Sequence, residues 1–234
     1  SFGCIWNWSA PMINAKNSAS RSKKIEILDL GMQAYKKSWN FQKSLLKKRS
    51  NNEINDTLIF VEHEPVYTLG KNANENHILQ NYPEEIKTFH IERGGDVTYH
   101  GPGQLVGYPI LDLREYKKSI SWYMRTLEQI IIDTLSEFNI QADRKNGLTG
   151  VWYKNEKIAA LGVRVSKWIT MHGFSLNINP DLNYYKSIIP CGIFEYGVTS
   201  MSKILNEEVD KESVKSVLKI KFLDQFNINH LAGK

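Results

Sequence analysis

Hydrophobic positions along this chain follow two rhythms: short continuous or alternating runs, and recurrences every three to four residues. Runs at 25–30, 57–62, 66–69, 88–92 and 105–113 are rich in β-formers and bounded by Gly, Pro, Asn or Ser, which predicts strands. Gly31 is expected to end the first of them, and Pro109 argues for an edge or a bend in the last. Helical spacing covers 32–48, where Tyr35, Trp39, Gln42 and Leu46 mark one face. It returns over 119–138, where Leu127, Ile131, Leu135 and Phe138 recur and Ser119 or Ser121 supplies an N-cap, and over 211–226 with Val214, Val217 or Leu218, Ile220 and Leu223.

Strand-like runs at 151–154 and 157–165 flank Asn155-Glu156, a hairpin turn that lacks the usual glycine. Residues 168–178 add one strand or two, and 181–188 a short helix. No repeat and no Pro- or Ser-rich linker divides the chain. Hairpins mixed with crossover helices predict a single α/β (α+β) domain over residues 25–234, a largely antiparallel or mixed sheet with flanking helices. Residues 1–24 contain no carboxylate, five serines and Trp6 and Trp8. They read as a flexible tail, with a transit-peptide remnant as the alternative.

Composition narrows the class. A chain of 234 residues with 41% hydrophobic content can bury one sizeable core. No run approaches the roughly 18 apolar residues of a membrane span. The two cysteines, Cys4 and Cys191, are far apart and form no CxxC pair, which speaks against a disulfide framework or a zinc site. A reducing compartment follows, with cytoplasm the expected location and mitochondrion or plastid left open by the acid-free start. The net charge of +5 suggests acidic partners. Lys and Arg are scattered and no recognition motif accompanies them, so nucleic acid is a poor partner.

Two features carry candidate chemistry. The run Arg93-Gly94-Gly95-Asp96-Val97-Thr98-Tyr99-His100-Gly101-Pro102-Gly103-Gln104 holds four glycines in twelve residues. It has neither Walker A spacing nor a GxGxxG that opens a helix, which disfavours phosphate and dinucleotide sites and leaves a shaped wall for an apolar or acyl ligand. The second feature is Cys191 in Ile189-Pro190-Cys191-Gly192, downstream of Lys157. A free thiol is only about 3% thiolate at neutral pH and needs a base or a cation beside it to act as a nucleophile. A desolvated lysine can serve. Taken singly, Cys191 also reads as a small buried hydrophobe and Lys157 as a solvated hairpin lysine. A metal site built from His100, His172 and Cys191 finds no support in spacing, and no metal is expected.

Five blocks in this order resemble the octanoyl-[acyl carrier protein]:protein N-octanoyltransferases: His63–Gly70, Arg93–Gln104, Lys157–Gly162, Met171–Asn177 and Ile189–Gly192. The resemblance spans roughly residues 25 to 204. It implies a fold similar to the biotin/lipoate protein ligase catalytic domain. It implies octanoyl transfer from acyl carrier protein to a lysine of lipoyl domains through a thioester on Cys191, with Lys157 activating the thiol. The implied substrate wall comprises Arg93, Gly94, Gly95, Asp96, Val97, Thr98, Tyr99 and His100, then Ala160, Leu161 and Gly162, then His172, Gly173, Phe174 and Ser175. Ala159 and Ala160 stand where the family often has Cys and Ser, which removes a hydroxyl at 160. The implied partners are octanoyl-acyl carrier protein and the lipoyl domains of 2-oxoacid dehydrogenases and the glycine cleavage protein. No cofactor is implied, since the acyl group arrives activated. The competing expectations are an ATP-dependent lipoate or biotin-type ligase and a non-catalytic module that binds carrier protein or lipoyl domains.

Overall fold

The structure, a computed structural model, describes residues 25–79, 83, 85–189 and 196–232. The tail 1–24 and the Pro190-Cys191-Gly192 step lie outside the described residues. The chain runs through β1 (Glu26–Gln33), α1 (Tyr35–Ser50), β2 (Thr57–His63), β3 (Val66–Leu69), β4 (Lys87–His90), β5 (Val97–His100), β6 (Gln104–Ile110) and α2 (Ile120–Ser136). It continues through β7 (Asp143–Lys145), β8 (Leu148–Tyr153), β9 (Glu156–Ser166), β10 (Ile169–Asn177), β11 (Gly197–Val198), α3 (Met201–Leu205) and α4 (Lys211–Ala232).

Eight strands form one mixed sheet in the order β1-β2-β6-β10-β9-β8-β7, with β11 beside β9. Only β1 with β2 and β11 with β9 run parallel; the other neighbours are antiparallel. A second, three-stranded sheet has the order β4-β3-β5. The alternation in β2 explains why the main sheet is covered on both faces. Leu58 and Phe60 enter one core with α2 and α4, while Ile59 and Val61 enter another under α1. On α2, Tyr123, Leu127, Ile131 and Leu135 recur at helical spacing and are buried with Phe222 and Phe226 of α4. Ser119 caps α2 by accepting from the Trp122 amide at 3.2 Å. On α1 Tyr35, Trp39 and Gln42 are buried as expected, but the stripe continues through Leu45 and Arg49, leaving Leu46 only partly buried.

Several boundaries differ from the sequence pattern, each for a local reason. Gly31 does not end β1; it sits with φ +59 where the β1–β2 register slips between Asp29 and Met32, a bulge rather than a stop. Pro109 occupies a central strand, not an edge. There the β6 ladder to β10 has already stopped at Gly107. Thr170 Oγ1 takes its place, donating to Pro109 O at 2.7 Å and accepting from the Leu111 amide at 2.9 Å. Gly173 leaves space for the ring: a Cβ there would lie 2.7 Å from Pro109 Cδ. The β8–β9 hairpin turns at Lys154-Asn155, one residue earlier than expected, because Lys154 takes the φ of +54 that a glycine usually supplies. The glycine run is not one loop, since its middle forms β5.

Candidate active site

The glycine run splits into two halves with different duties. Gly94 and Gly95 face a cavity of about 570 Å³, whereas Gly101 and Gly103 serve packing. A Cβ on Gly101 would overlap the Tyr99 ring, and one on Gly103, where φ is +90, would overlap the Asn179 carbonyl. Arg93 ties the first half down. Its Nη2 donates to Thr68 O and Thr68 Oγ1, both at 2.9 Å, and the Gly94 amide donates to Val163 O at 3.0 Å. That close approach requires Gly162 on β9, whose Cβ would lie 2.9 Å from both Arg93 Cδ and Gly94 O.

The cavity brings together nearly all of the expected wall. Arg93 to Thr98 and His100 line one side, Ala160 to Gly162 of β9 another, and His172 to Ser175 of β10 a third. Tyr99 is the exception. Along β5 the side chains alternate, so Thr98 and His100 face the cavity while Tyr99 turns into a separate core, stacked on Tyr184 at 4.8 Å and 5.7 Å from Tyr67. Residues not anticipated also line it, chiefly Tyr35, Tyr108, Asn177 and Tyr185 within and Ile120 and Met124 from α2. Tyr35 and Tyr108 occupy apolar positions of α1 and β6, where periodicity marks a buried face but not a cavity wall.

Lys157 lies on the same cavity, only 8% exposed. Its Nζ sits 4.8 Å from the Trp152 ring centroid, and its backbone pairs with Trp152 and Val198 in the neighbouring strands. Gly150 makes the slot for its stem: φ is +128, and a Cβ would lie 3.2 Å from Lys157 Cε. The hairpin lysine is therefore packed into the fold rather than solvated. Cys191 lies outside the described residues.

His100 and His172 line the cavity, His63 packs with its ring centroid 5.7 Å from that of His100, and hydrogen bonds fix the tautomers of His63 and His100. His63 Nδ1 faces the Gln33 carbonyl at 3.0 Å and must donate, so its Nε2 accepts from the Tyr108 hydroxyl at 2.8 Å. Gln104 Nε2 donates to Tyr99 O and to Tyr185 Oη, so its Oε1 accepts from His100 Nδ1 at 3.0 Å. His100 thus keeps Nε2 as an acceptor. Tyr35 stacks on its ring at 6.1 Å. His172 takes φ +60, and its amide donates to Gln42 Oε1 at 2.9 Å. Its Nε2 has no hydrogen-bond partner among the described residues. Burial pushes His63 and His172 down to about 4 and His100 to about 3; the neighbouring His63 adds to the effect on His100. All three rings are neutral at physiological pH. Among the described residues no cluster of His, Cys, Asp or Glu is arranged to hold a metal, and no helix is long and apolar enough to cross a membrane.

Such a wall offers shape, neutral acceptors and one buried amine, a donor set suited to an acyl ligand. The comparisons agree with it. Residues 34–223 match the lipoyl protein ligase A/B catalytic domain. An octanoyltransferase of Gloeobacter violaceus is 49% identical over 168 residues, covering 71% of this chain and 75% of that protein. A chloroplastic octanoyltransferase of Arabidopsis thaliana is 45% identical over 210 residues, covering 85% of this chain and 74% of that one. Among solved structures, a lipoate-protein ligase A bound with ATP superposes with a TM-score of 0.67 at 15% identity, covering 87% of this chain and 85% of the other, which establishes the shared fold. The chain belongs to the octanoyltransferase family, within the lipoyl protein ligase A/B catalytic domains.

Proposed function

We propose that this protein transfers an octanoyl group from acyl carrier protein to a lysine of lipoyl domains, by way of a thioester on Cys191. The observation that carries the reading is Lys157, a buried amine built into the wall of a cavity within the roughly 300–1,000 Å³ range of small-molecule sites. Its support is the family to which the chain belongs. In the first half-reaction Cys191 Sγ attacks the thioester carbonyl while Lys157 takes the thiol proton. The carrier's thiolate leaves and recovers that proton. In the second, the acceptor lysine amine attacks the Cys191 thioester, an amide forms and the Cys191 thiol is released. Lys157 relays the amine proton. Thioester to amide is downhill, so neither nucleotide nor metal is required.

The acceptors in this proposal are lipoyl domains of 2-oxoacid dehydrogenases and the glycine cleavage protein. The net charge of +5 suits acidic partners. The proposed compartment is the cytoplasm, with a plastid the alternative that the Arabidopsis relative's name favours. The test is a transfer assay with octanoyl-carrier protein and a lipoyl domain, with and without ATP. ATP-independent octanoylation that disappears in Cys191→Ala is expected. Modification only from free acid plus ATP would instead favour a ligase, the activity of its fold neighbours.

A further inference from the structure

A second titratable pair stands at the edge of the cavity, outside the chemistry assigned above. Asp96 lines the cavity, and its carboxylate is fully engaged. Oδ1 accepts from the Val97 amide at 2.7 Å and from the Asn74 amide at 3.4 Å, and Oδ2 accepts from His77 Nδ1. His77 itself is absent from the cavity wall. Its importance lies in its backbone. The Ile189 amide donates to His77 O at 2.8 Å, the Leu79 amide donates to Ser187 O at 2.9 Å, and Ile78 bridges Ile188. The stretch 77–79 is therefore a splint. One edge is fastened by a side-chain hydrogen bond to the cavity wall, and the other by backbone to 187–189, two residues before Cys191 in sequence.

The wall end of the splint is firmly held. The amides of Gly70, Lys71 and Asn72 donate to the carbonyls of Asp96, Arg93 and Gly95 in turn. The 187–189 end is anchored on its far side as well, since the Tyr67 hydroxyl donates to Tyr184 O at 2.8 Å. Between these anchors the His77–Asp96 pair links 77–79 to the wall, beside the Asn74 amide on the same carboxylate. We infer that His77 and Asp96 are positioning residues that act through 187–189, the stretch from which Cys191 follows two residues on in the sequence. The inference rests on the transferase reading for its catalytic consequence, but not for the mechanical coupling itself.

Two variants test it. An Asn side chain can present Nδ2 where His presents Nδ1, so His77→Asn can keep the donor to Asp96 and His77→Ala cannot. His77→Ala should lower octanoyl transfer about 10- to 100-fold in kcat, the scale of a misplacement of about 1 Å, with KM for octanoyl-carrier protein unchanged. His77→Asn should recover most of that loss. Hydrogen exchange reads the coupling without catalysis: the Leu79 and Ile189 amides should exchange faster in His77→Ala than in the wild type, at nearly unchanged Tm. Unchanged protection of those amides overturns the coupling. Equal losses in both variants with a matching fall in Tm also overturn it, because the pair would then only stabilise the fold. A wild type that fails to form a Cys191 thioester refutes the transferase reading alone, and the exchange result still decides the coupling.

Discussion

Two buried polar clusters sit on this fold, one closed and one open. At the end of α1, Arg49 donates Nε to Asp56 Oδ1 at 2.7 Å and Nη2 to Glu115 Oε1 at 2.8 Å, with Asp112 Oδ2 3.6 Å away. The Tyr116 hydroxyl and the Asp112 amide donate to the remaining Asp56 lone pairs at 2.6 and 3.0 Å. Charge meets charge there, and every Asp56 oxygen is spoken for. In the wall of the cavity His100 and His172, and His63 beside His100, are instead stripped of charge by burial. His100 presents a lone pair and His172 an unpartnered Nε2. A buried polar group without a partner costs free energy, so such groups persist where a ligand completes them. The closed cluster joins elements, whereas the open one faces the cavity.

That contrast can be broken at its open end first. Lys157→Ala should lower octanoyl transfer by about 10²- to 10⁴-fold, the contribution of a positioned acid–base group. The alkylation of Cys191 should shift to higher pH in the same variant. Since Cys4 is also present, the label should be counted on the Cys191 peptide. An unchanged pH profile would remove Lys157 from its role. At the closed end, Arg49→Met strands the buried Asp56 carboxylate, whereas Asp112 keeps Arg114, and should cost about 3–5 kcal/mol in urea unfolding. Activity per folded molecule should stay as it was. Loss of activity at full stability would show that the two clusters are not separate.

A smaller effect lies between them. Gly173→Ala would press a Cβ against Gly107 O and Pro109 Cδ and should destabilise by about 1–3 kcal/mol. The smallest effect concerns pH. Each histidine titrates near 6.5 when unfolded, but near 4 (His63, His172) or near 3 (His100) when folded. Between those values the unfolded chain binds more protons, so stability is complete above about pH 6.5 and declines as pH falls toward 4. At pH 5.5 each histidine should cost about 1 kcal/mol relative to pH 7.5, read as a drop in Tm. His172→Asn should flatten that slope, and a slope that does not change would mean His172 is not held neutral by burial.

How far the sequence alone reached differs between the fold and the site. Helix α2 and strand β2 were readable because one regular pattern governs each: spacing of three to four on α2, and on β2 a continuous apolar run rich in β-formers, which feeds a core on each face. The bulge at Gly31 and the central position of Pro109 were not, because both depend on what the neighbouring strand does. In the site, Arg93, His100, Lys157, Gly162 and His172 came from motif blocks, and the structure gathers them on one cavity. Tyr99 falls outside the cavity because a motif is contiguous in sequence, whereas β5 sends adjacent residues to opposite faces. Tyr35, Tyr108 and Tyr185 were missed for a related reason. Each comes from a separate element and looks like an ordinary core aromatic until the chain is folded.

The central claim is that the cavity bearing Lys157 serves a thioester on Cys191. Intact-mass analysis after mixing the protein with octanoyl-carrier protein, without ATP and without acceptor, tests it most directly. The account predicts a single octanoyl adduct, mapped to the Cys191 peptide and chased off by a lipoyl domain. No adduct, or one that survives in Cys191→Ala, would contradict it.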